Sequence, residues 1–225
     1  MFIGHIAVAL GAKKASPKTS LGTLIMSAQF IDLLWPLFLI LGIEHVRIDP
    51  GNTAVTPLDF YDYPISHSLL MCLGWSVLFG LIYHVVRKNK IGAWVVGLGV
   101  FSHWILDFIS HRPDLPIAPG VNIYLGLGLW YSRPATIIVE GLMFLVGIVL
   151  YVRNTRAIDR IGKYAFWTFI GFLVVVWMGN TFGPPPPDVG ALGYVGLSLW
   201  LVVLWAYWID KHRVPTVAGS ALHEA

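Results

Sequence analysis

Six stretches of the chain, near residues 21 to 43, 66 to 86, 91 to 111, 134 to 152, 164 to 182 and 191 to 209, are apolar and long enough to cross a bilayer as helices. In hydrocarbon a backbone must satisfy its own hydrogen bonds, so a chain with that many spanning runs folds as a helix bundle. The expected fold is all-α: a polytopic membrane bundle of about six transmembrane helices, one domain over residues 1 to 215 with a cytoplasmic tail over 216 to 225. Composition agrees, with 56% hydrophobic residues, 12% charged residues and a mean hydropathy of +0.71. Residues 1 to 12 are apolar too, but as a helix they rise only ~18 Å. They predict a short N-terminal half-helix ending inside the bundle. Their apolar run precedes Lys13 and Lys14, the reverse of a secretory signal, so the segment reads as mature protein.

The basic residues orient this bundle. They cluster at Lys13, Lys14 and Lys18, at Arg87, Lys88 and Lys90, at Arg153, Arg156, Arg160 and Lys163, and at Lys211 and Arg213, which are alternate loops and the tail. The positive-inside rule places these loops and both termini in the cytoplasm, and residues 44 to 65, 112 to 133 and 183 to 190 outside. The formal net charge of +3 comes from these loops and points to membrane lipid, not nucleic acid, as partner. No feature sets an oligomeric state. The outer loops carry "DPGN", "HRPDLPIAPG" and "GPPPPD", whose prolines and glycines predict a structured lid. The run "NIYLGLGLWYS" (122 to 132) is too short to span and is expected to be re-entrant or interfacial. The single cysteine, Cys72, excludes an intrachain disulfide framework and a thiolate metal cluster. Any metal site must use histidines and carboxylates.

Such groups interrupt the spans themselves, where ionisable residues are costly and face the bundle interior or a water-filled cavity. Asp32 interrupts "AQFIDLLW", His67 begins the second span, and Glu140 interrupts "ATIIVEGLMF". His103, Asp107 and His111 recur every four residues in "SHWILDFISH". At about 100° per residue they drift by only ~40° and ~80°, so one helix side presents all three. His5 adds a further candidate. Counted from the nearest basic loop, Asp32, His103 and Glu140 stand ~20 to 21 Å up their helices, at one level. Imidazole nitrogens and carboxylate oxygens suit a divalent cation such as zinc, and the cation in turn offsets carboxylates held in low dielectric. His111 adjoins "RPD" and is equally compatible with a solvated group or a pair with Asp114; Glu140 is equally compatible with a protonated carboxyl bonded to a neighbouring helix. Asp59 and Asp62 precede His67 in "LDFYDYPISH", where aspartates also favour turns. His45, His84, His212 and His223 lie near loops or the tail and read as structural.

The order His5, Asp32, "SHS" at His67 and "HWILD" from His103 to Asp107 resembles the predicted membrane-bound metal-dependent hydrolases, small bacterial inner-membrane proteins with an N-terminal histidine, an early aspartate, a "THS" or "SHS" and an "HxxLD". The resemblance covers roughly residues 1 to 115. That family is in turn similar to zinc-dependent phospholipase C and zinc-dependent single-strand nucleases. The resemblance implies that Asp32, His67, His103 and Asp107 hold one metal, with Asp107 bridging to a second held by His5 and the terminal amine of Met1. It implies that His111 and Glu140 are remnants of a further site whose histidine is replaced by Thr136. The chain departs from the family in having "FIDLLW" for "PD.D" and "DYPISHS" for "HRG" before the "THS", so Asp62 stands where a histidine is common.

The expected activity is hydrolysis of a lipid or other phosphoester at the outer face of a bacterial inner membrane, using one or two divalent ions. Asp107 is the central carboxylate, and Asp32 or Asp62 orients or deprotonates the attacking water. The same cluster also fits an ion- or proton-coupled transporter, and His67 with His103 fits axial haem ligation.

Overall fold

The computed structural model describes residues 1 to 216; His223 and the tail beyond Thr216 lie outside the described residues. The chain opens with α1 (Phe2–Ala15) and continues into α2 (Leu21–Ala28) and α3 (Phe30–Ile40). A hairpin of β1 (His45–Ile48) and β2 (Leu58–Asp62) and the short α4 (Pro64–His67) lead to α5 (Leu69–Arg87). After α6 (Lys90–Ser110), a second hairpin, β3 (Leu115–Pro116) with β4 (Tyr124–Leu125), and a 3-10 turn (Leu129–Tyr131) precede α7 (Arg133–Asn154). Then come β5 (Thr155–Ala157), α8 (Arg160–Phe182), α9 (Val189–Leu197), α10 (Leu199–Lys211) and β6 (Arg213–Pro215).

The protein is an all-α bundle, and the only strands among the described residues are three two-stranded ribbons at the helix ends. Helices α5, α6, α7 and α8 and the continuous apolar stretch Val189–Lys211 are long and apolar enough to cross a membrane, and α2 with α3 makes a sixth crossing if the bent pair is one span. These helices turn apolar side chains outward: Val77, Leu81 and Val85 on α5, Leu98 on α6 and Leu142 on α7 are all exposed. That pattern suits hydrocarbon as solvent and makes the chain a multi-pass membrane protein.

Helix α1 has the opposite character. Ile3, Ile6, Ala7, Ala9 and Leu10 are buried, and so are His5 and Lys13. A helix apolar around its circumference belongs inside a bundle, and α1 packs against α2, α6, α7 and α8. Gly147 on α7 permits the closest approach, since a Cβ there would lie 2.7 Å from the Ala7 carbonyl oxygen. The expected half-helix is thus the central strut of the bundle.

Two expectations are refined. The stretch from 21 to 43 is not one straight helix: α2 and α3 meet at 58° around Gln29. The run from 122 to 132 does not cross; Gly126 (φ 157°) and Gly128 (φ 73°) take positive φ values that break a helix, and the amides of Leu127 and Gly128 bond to the Phe108 and His111 carbonyls at the end of α6 (both 2.7 Å). This run joins the first hairpin in one lid. Arg112 bonds Asn52 (2.5 Å), Asp59 and Asp114 (3.1 Å), Ala54 donates to the Trp130 carbonyl (3.1 Å), and Asp59 also accepts from Arg47 (2.8 Å).

The opposite end carries the basic loops and the β5–β6 ribbon, with Asp159 capping α8 through the Gly162 amide (2.7 Å) and accepting from His212 (2.7 Å). Helix α6 is the one helix between Lys90 and Asn122. Cysteines placed at these two exposed positions are therefore expected to react with an impermeant maleimide from opposite sides of sealed membranes; labelling of both from one side would refute the arrangement.

Candidate metal centre

The bend at Gln29 prepares the site. Ala28 ends α2, where terminal carbonyls lack helical partners, and its carbonyl oxygen accepts a hydrogen bond from His103 Nδ1 at 2.8 Å. Helix α6 comes close enough because Gly99, one turn before His103, faces Ser27; a Cβ there would lie 2.5 Å from Ser27 Oγ. Asp32 sits in the first turn of α3, just beyond the bend. One break in one span thus orients His103 and positions Asp32.

His67 is set by a different device. Glu44, buried before β1, accepts from the Ile65 and Ser66 amides (both 2.7 Å) and from Ser66 Oγ (2.5 Å). Ser66 Oγ is also 2.6 Å from His67 Nδ1. A carboxylate only accepts, so the one hydroxyl proton goes to Glu44 and Ser66 must accept from His67 Nδ1–H. The next residue, Ser68, caps α5 through the Met71 amide (3.3 Å), ending α4 immediately after His67.

Both imidazoles therefore carry their proton on Nδ1, and in a neutral ring Nε2 is then a bare lone pair. Those two Nε2 atoms converge on carboxylates. His103 Nε2 lies 3.1 Å from Asp107 Oδ2 and 3.5 Å from Asp32 Oδ1, and His67 Nε2 lies 3.6 Å from Asp32 Oδ1 and 3.9 Å from Asp107 Oδ2. His103 Nε2 is buried without a hydrogen-bond partner, although two carboxylates surround it. Lone pairs aimed together at 3 to 4 Å repel unless a proton on the imidazole or a metal cation lies between them. A tetrahedral ion with bonds of ~2.0 to 2.2 Å has ligand edges of ~3.3 to 3.6 Å, close to the four spacings observed. The residues present fit a divalent metal: Asp32, His67 and His103 are mutually spaced to hold one ion, with Asp107 Oδ2 beside His103.

The cluster is closed on most sides. The side chains of His67, His103 and Asp107 are at most 5% exposed, whereas that of Asp32 is 31% exposed. Asp32 therefore marks the open side of the centre.

The other face of Asp107 is different. Its Oδ1 accepts from the Met1 amine at 2.9 Å and lies 3.1 Å from His5 Nε2, and the His5 ring stacks on His103 at 3.7 Å. His5, His103 and Asp107 form a second grouping spaced for an ion, but here the Met1 amine already donates to the oxygen. The remaining candidates stand outside both groupings. Glu140 is buried on α7 beside the backbone of Ile3 and Gly4. His111 ends α6 in an aromatic surround of Phe60, Tyr63 and Trp130, with Nδ1 bonded to Asp114 (3.0 Å), one of the two settings its sequence context allowed. Burial, reinforced by the Asp114 carboxylate, pushes the Tyr63 phenol well above its usual pKa, and it donates to Asp114 at 3.1 Å. Asp62 is turned away, paired with His45 at 2.9 Å on the exposed side of the first hairpin.

Sequence reasoning missed Glu44, Ser66 and the Ala28 carbonyl. Ser66 lay within the quoted "SHS", but Glu44 sits more than twenty residues before its partner, at the start of the first outer loop. Nothing local marks it. No family model, no curated protein and no solved structure matches this chain.

Proposed function

We propose that the protein is a membrane-embedded metal-dependent hydrolase acting on a lipid or other phosphoester, and that its motifs reflect kinship with the predicted membrane-bound metal-dependent hydrolases. The observation that supports this reading best is the convergence of two Nδ1-protonated histidines and two carboxylates with one ligand, Asp32, left partly open. Two nitrogens and two oxygens at these spacings favour zinc. Zinc bound there would polarise a phosphoryl oxygen and acidify a water. The chain supplies the rest. His67 and His103 present fixed Nε2 lone pairs, Asp107 stands shielded beside them, and Asp32 would bind through Oδ1, which faces both histidines, leaving its other carboxylate oxygen on the open side to orient the attacking water and take its proton. A centre inside the bundle, reached past a single exposed carboxylate, suits a substrate already in the membrane. By the positive-inside rule the lid end faces outward from a bacterial inner membrane and the basic loops face the cytoplasm; the N-terminus is not in the cytoplasm as expected, because the Met1 amine is buried against Asp107.

The test is metal analysis of the purified protein followed by a phosphoester-lipid panel. One zinc per chain and turnover of at least one panel member are expected. Stoichiometric metal with no turnover, together with metal-ion uptake by reconstituted vesicles, would replace the hydrolase reading with transport.

A further inference from the structure

We infer a second, separate site: a cleft between α2, α5 and α10 that holds one acyl chain of an anionic phospholipid, with its headgroup at the basic end of the bundle. The cleft encloses about 660 Å³, within the ~300 to 1,000 Å³ of ordinary ligand pockets. One wall is a single face of α5, where Trp75, Leu78, Phe79, Ile82 and Val86 recur at helical spacing. Met26 and Phe30 face them across the gap, and Tyr207 closes the floor against Gly22.

Its length and charge identify the occupant. From Trp75 to Arg87 the α5 wall runs ~18 Å at ~1.5 Å per residue, close to one leaflet's half of a ~30 Å hydrocarbon core. The polar groups along the walls are already used: Tyr207 Oη bonds Thr23 (2.8 Å), Tyr83 Oη bonds Thr19 (2.8 Å), and Asp210 pairs with Lys13 (3.1 Å). Only cations remain free at the mouth. Arg87 and Lys211 line it, both are exposed, and neither has an ion-pair partner among the described residues. An apolar slot one leaflet deep with two uncompensated cations at its membrane-surface end is complementary to an anionic lipid. The mouth of this cleft lies at the end of the bundle opposite the lid, and the proposal does not depend on the hydrolase reading.

The test is native mass spectrometry of the delipidated full-length protein titrated with dioleoyl phosphatidylglycerol or dioleoyl phosphatidylcholine. The anionic lipid is expected to bind roughly 10- to 30-fold more tightly, one molecule at saturation, from two basic contacts. The double variant Arg87→Gln with Lys211→Gln should lose that preference, to within about 2-fold. Ile82→Trp, which fills the slot, should weaken both lipids. Melting curves and metal content unchanged from wild type establish that the variants are folded. Equal affinity for the two lipids, a preference that survives the double variant, or equally tight binding of glycerol 3-phosphate without chains would each overturn the proposal; the last would show a surface phosphate site.

Discussion

Asp107→Asn protein is expected to lose at least ~100-fold in zinc affinity while still reaching the membrane as a folded bundle. The magnitude follows from comparison: losing an outer partner of a ligand costs 10- to 100-fold, and this substitution removes a ligand charge itself. Asp107 is the residue on which both halves of the cluster depend, since Oδ2 faces His67 and His103 while Oδ1 faces the Met1 amine and His5. Asparagine keeps the size of the side chain and one carbonyl oxygen, so the contact to the amine survives and the helix is not opened. Without the negative charge, two imidazoles and Asp32 no longer neutralise a dication. Zinc content by plasma mass spectrometry and affinity by competition with a chelating dye give the readout, with thermal melting as the control for folding. His84→Ala, near the basic end of α5, should leave zinc content unchanged. Full zinc content in folded Asp107→Asn protein would sink the assignment of this cluster as a metal centre.

Glu44→Gln should weaken zinc binding by roughly 10- to 100-fold although Glu44 touches no ligand atom in the centre. The carboxylate forces Ser66 Oγ to donate outward, which forces His67 to donate to Ser66 and leaves Nε2 bare. A glutamine amide can present its NH₂ to Ser66 instead. The hydroxyl is then released to donate to His67 Nδ1, the ring proton moves to Nε2, and the nitrogen meant for the metal is blocked. Some stability is lost too, about 1 to 3 kcal/mol, because a buried acceptor of three hydrogen bonds is altered. Affinity and stability are separable here. Ser66→Ala removes the acceptor for His67 but leaves Glu44 bonded to both amides, so it should reproduce most of the affinity loss with less destabilisation. The tautomer of His67, read from ¹⁵N shifts of the imidazole, distinguishes this route from general loosening: Nδ1–H in the wild type, Nε2–H in Glu44→Gln. Wild-type affinity in a folded Glu44→Gln protein would remove the relay.

The sequence by itself determined the class of fold and the candidates for the centre. Runs of about twenty apolar residues leave a backbone no alternative to helices in hydrocarbon, so the bundle and its alternating loops are legible without coordinates. The costliness of charge there likewise marks His5, Asp32, His67, His103, Asp107, His111 and Glu140 as candidates, because a residue that expensive is placed for a reason. Four-residue spacing even shows that His103 and Asp107 share a helix side.

Only the tertiary structure decided which of the candidates meet. Depth along a helix says nothing of rotation about it or of the neighbour it faces, and so Asp62 and His111, near in sequence, turn to His45 and Asp114, while His5, about a hundred residues away, stacks on His103. The bend at Gln29 has no proline or glycine to announce it, yet it positions the Ala28 carbonyl that orients His103. Glu44 and Ser66 become a relay only when the first hairpin folds back over α4. Burial is a local cost written in composition, whereas orientation is set by contacts between residues far apart in the chain, and those exist only once the helices have packed.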